Sequence, residues 1–186
     1  MLEFVRILLS FMIKLLLIDC DGIIFPNKIY GKDGLCIGKS AKDLDFTAIK
    51  RFQAAGVSVE AITGDSWNAA ILENRNIPYI LSRGKNKEDF LPEICDRYNV
   101  SPSDVAYIGD DIFDIGLLQR VGFPFAPFDA TKDVFRMTDA LKLLSKGGDN
   151  VLDELFYYLR DSSLIRHLSF EEEYKKILQL DDRQKF

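Results

Sequence analysis

Short apolar runs recur along the chain, each breaking off at polar residues. Lys14–Ile18 (KLLLI), Val57–Ile62 (VSVEAI) and Val105–Ile108 (VAYI), with a weaker copy at Pro78–Leu81 (PYIL), have the length and continuous apolarity of parallel strands buried on both faces. Between them lie stretches with helical spacing: Leu44–Ala55 ahead of Gly56, Ser66–Asn74, Lys87–Tyr98, and Ile112–Arg120 running out near Gly122. This alternation predicts a doubly wound, Rossmann-like α/β fold, whose right-handed crossovers gather the carboxyl ends of a parallel sheet into one crevice. Ile23–Gly38 breaks the pattern, because two strand-like pieces flank Gly31-Lys32-Asp33-Gly34; a β-hairpin flap beside the crevice is expected there. Val151–Leu159 and a stretch around Phe170–Leu178 in the polar tail predict further helices. Trp67 and the Phe123–Phe128 cluster (FPFAPF) are expected in the core or at a subunit contact.

With 186 residues, 47% of them hydrophobic, the chain is long enough for one substantial core and short for two. A single domain over residues 1–186 is expected, with a core over about 13–160 and a C-terminal tail over 161–186. The 24 basic and 29 acidic residues leave a net charge of −5, which gives no electrostatic reason for a nucleic-acid or membrane partner. Cys20, Cys36 and Cys95 form no C-x-x-C pair and read as buried thiols of a reducing, cytoplasmic setting. The apolar start is interrupted by Glu3, Arg6 and Lys14, is too short to span a bilayer and lacks a small-residue cleavage site. A short apolar arm leading into a buried strand fits better, and Met12 is a second candidate start.

The polar residues that end the apolar runs carry chemistry. Hydrolysis of a phosphate monoester through a covalent intermediate needs a nucleophile, an acid for the leaving alcohol, cations for the phosphoryl charge and donors for its oxygens. Asp19-Cys20-Asp21-Gly22 follows the first strand, and the alternation of an extended chain turns Asp19 and Asp21 to one side. Two carboxylates facing one crevice repel unless a cation lies between them, which argues for a hard, oxygen-seeking metal such as Mg²⁺. Gly109-Asp110-Asp111-Ile112-Phe113-Asp114 brings further carboxylates to another strand end. Thr63-Gly64 supplies a hydroxyl and a tight turn suited to a phosphate oxygen. Lys87 adds a fixed cation at a helix start, where the dipole disfavours it unless an anion is near.

In this order, DxDG, Thr-Gly, Lys and GDDxxD resemble the four signature motifs of the haloacid dehalogenase superfamily, across about Lys14 to Gly122. The resemblance implies a phosphoric monoester hydrolase in which Asp19 becomes an aspartyl phosphate, while Asp21 protonates the leaving oxygen and then activates water. It also implies Mg²⁺ held by Asp19, the Asp21 main-chain carbonyl and Asp110, with Asp111 and Asp114 supporting, and phosphoryl oxygens held by Thr63, Gly64 and Lys87. Neither interval that carries a cap domain in larger members has room for one, so the type is capless. The hairpin, Val105–Asp111 and Gly147-Gly148 are similar to phosphatases of 3-deoxy-octulosonate 8-phosphate and of nonulosonate 9-phosphates, which assemble as homotetramers. Asp65 and Asp149 stand where the octulosonate group carries arginine, which is closer to the nonulosonate branch and makes Asp65 a candidate substrate contact. Ser40–Asp45 lacks the glycine-containing sequence usual before that helix.

Two other classes compete. A phospho-receiver signalling domain also combines paired acids, Thr and Lys on an α/β sheet, but places its acidic pair on the first strand and its accepting Asp later. A catalytically idle scaffold is the third reading. His167 lies in the polar tail and reads as structural or exposed, while Asp111 and Asp114 could serve only as caps at a helix start.

Overall fold

A computed structural model describes residues 13–182; the apolar arm expected at residues 2–12 lies outside the described residues. Six parallel strands form the sheet: β1 (Leu15–Ile18), β4 (Ser58–Thr63), β5 (Tyr79–Leu81), β6 (Val105–Ile108), β7 (Phe123–Ala126) and β8 (Leu141–Lys142). They lie in the order β5-β4-β1-β6-β7-β8. Taken in chain order, the parallel strands run 3-2-1-4-5-6, the Rossmann order, rather than the 2-1-3-4-5 of flavodoxin-like receivers. The expected doubly wound sheet is present, and its order speaks against the receiver alternative. A separate antiparallel hairpin, β2 (Asn27–Tyr30) and β3 (Cys36–Ser40), follows β1, and no cap domain is inserted among the described residues.

Side-chain alternation along the buried strands divides the core between the two faces of the sheet. Leu16 and Ile18 of β1 join Phe46, Ile49 and Phe52 of α1 (Asp43–Ala54) and Leu152, Leu155 and Phe156 of α6 (Val151–Asp161) on one face. Leu15, Leu17 and Tyr107 pack on the other face against Leu91 and Ile94 of α3 (Leu91–Tyr98) and Leu117 and Leu118 of α4 (Ile115–Leu118). Phe52 and Phe156 meet edge to face at 5.2 Å, the arrangement that aromatic quadrupoles favour. The N-terminus of α6 is capped from a distance: the buried Asp45 of α1 accepts a hydrogen bond of 2.9 Å from the Leu152 amide.

Three expected helices begin as 3-10 turns, the third through Ile112–Asp114 ahead of α4. Ser66–Asn68 precedes α2 (Ala69–Asn74), and Lys87–Phe90 precedes α3. The Phe123–Phe128 cluster, expected as core or subunit contact, supplies strand β7, followed by α5 (Lys132–Met137) and β8. Proline is tolerated in β7 because Pro124 turns its nitrogen toward β8, which pairs only with Phe125 and Ala126. The tail forms α7 (Phe170–Asp181), which has no buried residue. Polar contacts tie it to α1: Arg51 to Glu173 at 2.5 Å, Lys50 to Asp181, and Lys176 to the Ala54 carbonyl at 2.9 Å. Among the described residues no helix is long and apolar enough to cross a membrane.

Candidate active site

The carboxyl ends of β1, β4 and β6 open into a cleft of about 740 Å³ at the switch point of the sheet. Asp19 continues β1, its amide donating to the Ile108 carbonyl at 3.0 Å, so neighbouring strands fix its backbone. Its side chain is almost fully buried and meets Lys87 Nζ at 2.8 Å. Lys87 also meets Asp114 at 2.6 Å and lies 3.4 Å from the Tyr107 hydroxyl. The anion demanded by a lysine at a helix start is therefore supplied by two buried carboxylates. Burial opposes the charge on Lys87, but Asp19 and Asp114 outweigh it and hold the ammonium well above its ordinary range. The neighbouring Lys85 is exposed, which separates the two lysines.

Asp114 is completely buried and spends every acceptor inside the protein. One oxygen takes Lys87 and the Tyr107 hydroxyl; the other takes the amides of Asp110 and Asp111 at 2.9 and 3.0 Å. It thus shapes the loop that presents Asp110. Asp111 is exposed and caps the turn after β6 by accepting from the Ile112 amide at 2.6 Å.

Asp19, Asp110 and Asp114 each bring a carboxylate oxygen to within 4.8 Å of the others. Burial, together with Asp19, Asp114 and Asp111, pushes Asp110 up to about 8; burial and Asp114 raise Asp19 as well, against the pull of Lys87. Such crowding is what a divalent cation relieves. One carboxylate oxygen of Asp110 is buried without a hydrogen-bond partner, an acceptor left for a metal. The donor set of oxygens alone suits Mg²⁺. The carboxylate of Asp21 is not in this cluster.

Asp21 lines the cleft from the next turn of the loop, where it meets Lys39 at 2.5 Å and Lys28 at 3.6 Å, both from the hairpin. Thr63 is buried at the end of β4; its hydroxyl oxygen accepts from the Asp65 amide at 3.2 Å and from Asn68 at 2.9 Å. Gly64 lines the cleft beside it, with open space where a side chain would stand. Asp65 also lines the cleft, paired there with Lys39 at 2.8 Å, Lys28 at 3.0 Å and the Trp67 amide at 2.9 Å. Burial opposes its charge, yet these partners hold it well below the usual carboxylate range. Asp149 pairs with Lys42 and is not among the cleft-lining residues.

Backbone contacts explain the glycines. A side chain on Gly22 would collide with the Asp110 carboxylate, and one on Gly147 would run into the Gly22 carbonyl. Gly148 donates to the Ile23 carbonyl at 2.7 Å, so Gly147-Gly148 braces the loop that carries Asp19 and Asp21. Sequence reasoning missed Lys28, Lys39, Asn68 and Tyr107. Tyr107 alone carried a signal, since a tyrosine inside a buried strand needs a partner for its hydroxyl.

Comparison with known proteins agrees with this geometry. A model of the haloacid dehalogenase-like hydrolases matches residues 38–122. Over that stretch this chain is similar to the haloacid dehalogenase-like hydrolases, and the sheet order, the convergence of the four motifs and the lack of a cap domain among the described residues are in keeping with that class. Within that class it is similar to 3-deoxy-D-manno-octulosonate 8-phosphate phosphatase KdsC of Escherichia coli K12, 29% identical over 123 residues. That alignment covers 63% of this chain and 64% of the relative, so the chain spans less than two thirds of the curated proteins it matches. The cobalt-bound deoxy-D-mannose-octulosonate 8-phosphate phosphatase of Haemophilus influenzae superposes with a TM-score of 0.74 at 25% identity, covering 82% of this chain and 90% of that one. The Moraxella catarrhalis octulosonate 8-phosphate phosphatase, solved with magnesium, phosphate and KDO, superposes at 0.73 with 22% identity, covering 84% and 91%.

Proposed function

We propose that this protein hydrolyses the phosphate monoester of a sugar acid, of the 3-deoxy-octulosonate 8-phosphate or nonulosonate 9-phosphate type, with Mg²⁺ as cofactor, in the cytoplasm. The observation that carries the reading is the meeting of Asp19, Lys87, Thr63 and Asp110 at the ends of three strands, beside an Asp110 oxygen with no partner. The names of the relatives supply the octulosonate 8-phosphate class, and Arg83 and Lys85 around the cleft suit a substrate with a second anionic group.

Asp19 attacks phosphorus along the line of the leaving oxygen, and its carboxylate becomes the aspartyl phosphate. Lys87 holds one phosphoryl oxygen; the Thr63 hydroxyl and the Gly64 amide hold another. Asp21 gives its proton to the departing alcohol, then takes one from the water that cleaves the intermediate. Asp19, Asp110 and the Asp21 carbonyl would hold the metal, which when bound neutralises both carboxylates and the phosphoryl charge. Asp114 keeps Lys87 and the Asp110 loop in place.

The hairpin leaves Ile29, Tyr30, Leu35 and Ile37 more than half exposed, which supports a homotetramer in which a neighbour covers each flap. Phosphate release with Mg²⁺ over octulosonate, nonulosonate and simple hexose phosphates tests the function. A sugar-acid phosphate is expected to lead the panel, with turnover lost in Asp19→Asn at unchanged folding; turnover surviving in Asp19→Asn refutes the assignment. Light scattering reads the assembly in the same samples, and a fully active monomer excludes the tetramer.

A further inference from the structure

The hairpin carries two lysines in register, Lys28 on β2 directly opposite Lys39 on β3. Like charges facing each other across a strand pair destabilise it unless anions lie between them. Here the acids are Asp21 from the β1 loop and Asp65 from the β4 loop, so that two lysines and two acids close one cluster. Lys39 is its centre. Its side chain is fully buried, and its three protons are matched by three acceptors: Asp21 at 2.5 Å, Asn68 at 2.7 Å and Asp65 at 2.8 Å. The rings of Phe25 and Trp67 approach to 5.5 and 5.6 Å. A lysine satisfied in this way has no proton to offer a substrate, and it stands behind the cleft rather than in its lining.

What it does hold is one oxygen of Asp21. Lys39 pins Oδ1, whereas Oδ2 has only longer contacts, 3.5 Å to Asn68 and 3.6 Å to Lys28. One oxygen is therefore fixed from behind, and the other is left to work at the front of a side chain that reaches the cleft. We propose that Lys39 is a positioning residue for Asp21, locking its rotamer so that Oδ2 faces the leaving oxygen. The inference rests on the phosphatase reading above. In the first step the Asp19–phosphorus bond forms, the bond from phosphorus to the bridging oxygen breaks, and the proton on Asp21 Oδ2 passes to that oxygen to give a neutral alcohol.

This role is separable from simple anchoring of the hairpin, because only esters with poor leaving groups need that proton. Lys39→Met keeps the length of the side chain and removes its charge. For it, kcat/KM, which includes every step up to alcohol departure, is compared on the best sugar phosphate and on 4-nitrophenyl phosphate. The loss on the sugar phosphate is expected to exceed that on the aryl ester by about tenfold or more, within the range of general acid catalysis. The Lys39 ammonium lies 5.6 Å from the Trp67 ring, so emission follows the charge itself and thermal melting reports the fold instead. Should Lys39→Met lower Tm, Lys39→Met/Asp65→Asn restores charge balance, and the same gap is expected there. Equal losses on both esters in both variants overturn the inference and leave the phosphatase reading standing. A wild-type protein that turns over neither ester defeats that reading and takes this inference with it.

Discussion

Gly147→Ala tests the claim that the late glycine pair seats the catalytic loop rather than touching substrate. The added methyl would enter the space of the Gly22 carbonyl, which is backbone and cannot rotate away. Overpacking of this kind costs about 1–3 kcal/mol. For a domain of this size each kcal/mol lowers Tm by roughly 2–4 °C, so a drop of roughly 2–12 °C is expected. The larger effect falls on chemistry. Gly22 follows Asp21, and a shift of the loop by about 1 Å costs on the order of 100-fold in turnover. Gly56→Ala is the comparison: Gly56 has a positive φ of 91° with open space around it, so only backbone strain of about 1–2 kcal/mol is added there. Thermal melts and phosphate release on both variants separate the cases. Both should melt earlier, and only Gly147→Ala should lose kcat. Gly147→Ala turning over at the wild-type rate while destabilised like Gly56→Ala would refute the seating argument.

Two further outcomes follow from buried charge. Magnesium at 100 times its Kd should stabilise the wild type by about 2.7 kcal/mol, read as a rise in Tm, whereas Asp110→Asn should show no such rise; an equal rise in both removes Asp110 from the metal site. Burial raises Asp45 from 3.8 to about 6, so the folded state binds its proton more tightly than the unfolded state does. Stability from this group is present below about pH 4, falls as pH rises toward 6 and stays low above, by up to about 3 kcal/mol. Asp45→Asn should lack that fall in urea titrations at pH 4.5 and 7, and an unchanged pH dependence contradicts it.

The runs that became β1, β4 and β6 were legible because strands buried on both faces must be apolar throughout, and the polar residues ending them could only lie at one edge of the sheet. β7 was not legible, since Pro124 argues against a strand; only the two-residue reach of β8 makes the missing donor harmless. The helix starts at Ser66 and Lys87 carried the right spacing, but their opening 3-10 turns follow from where Asp65 and Lys87 are held. The acids were read from their order along the chain. Lys39 and Asn68 were not, because the contacts that tie them to each other and to Asp21 span 18 to 47 residues and no local pattern marks a surface-like lysine as buried.

The way α7 is fastened sets how the molecule should respond to its solvent. A helix held by ion pairs, one carbonyl contact and the half-buried Ile177 and Leu180, with no side chain fully sunk into the interior, is a clasp whose grip depends in part on ionic strength. The screening length shrinks from about 10 Å at 0.1 M salt to about 3 Å at 1 M, while the aromatic and aliphatic interior beneath is indifferent to that change. Concentrated salt should thus loosen this last helix first and leave the sheet and its cleft intact.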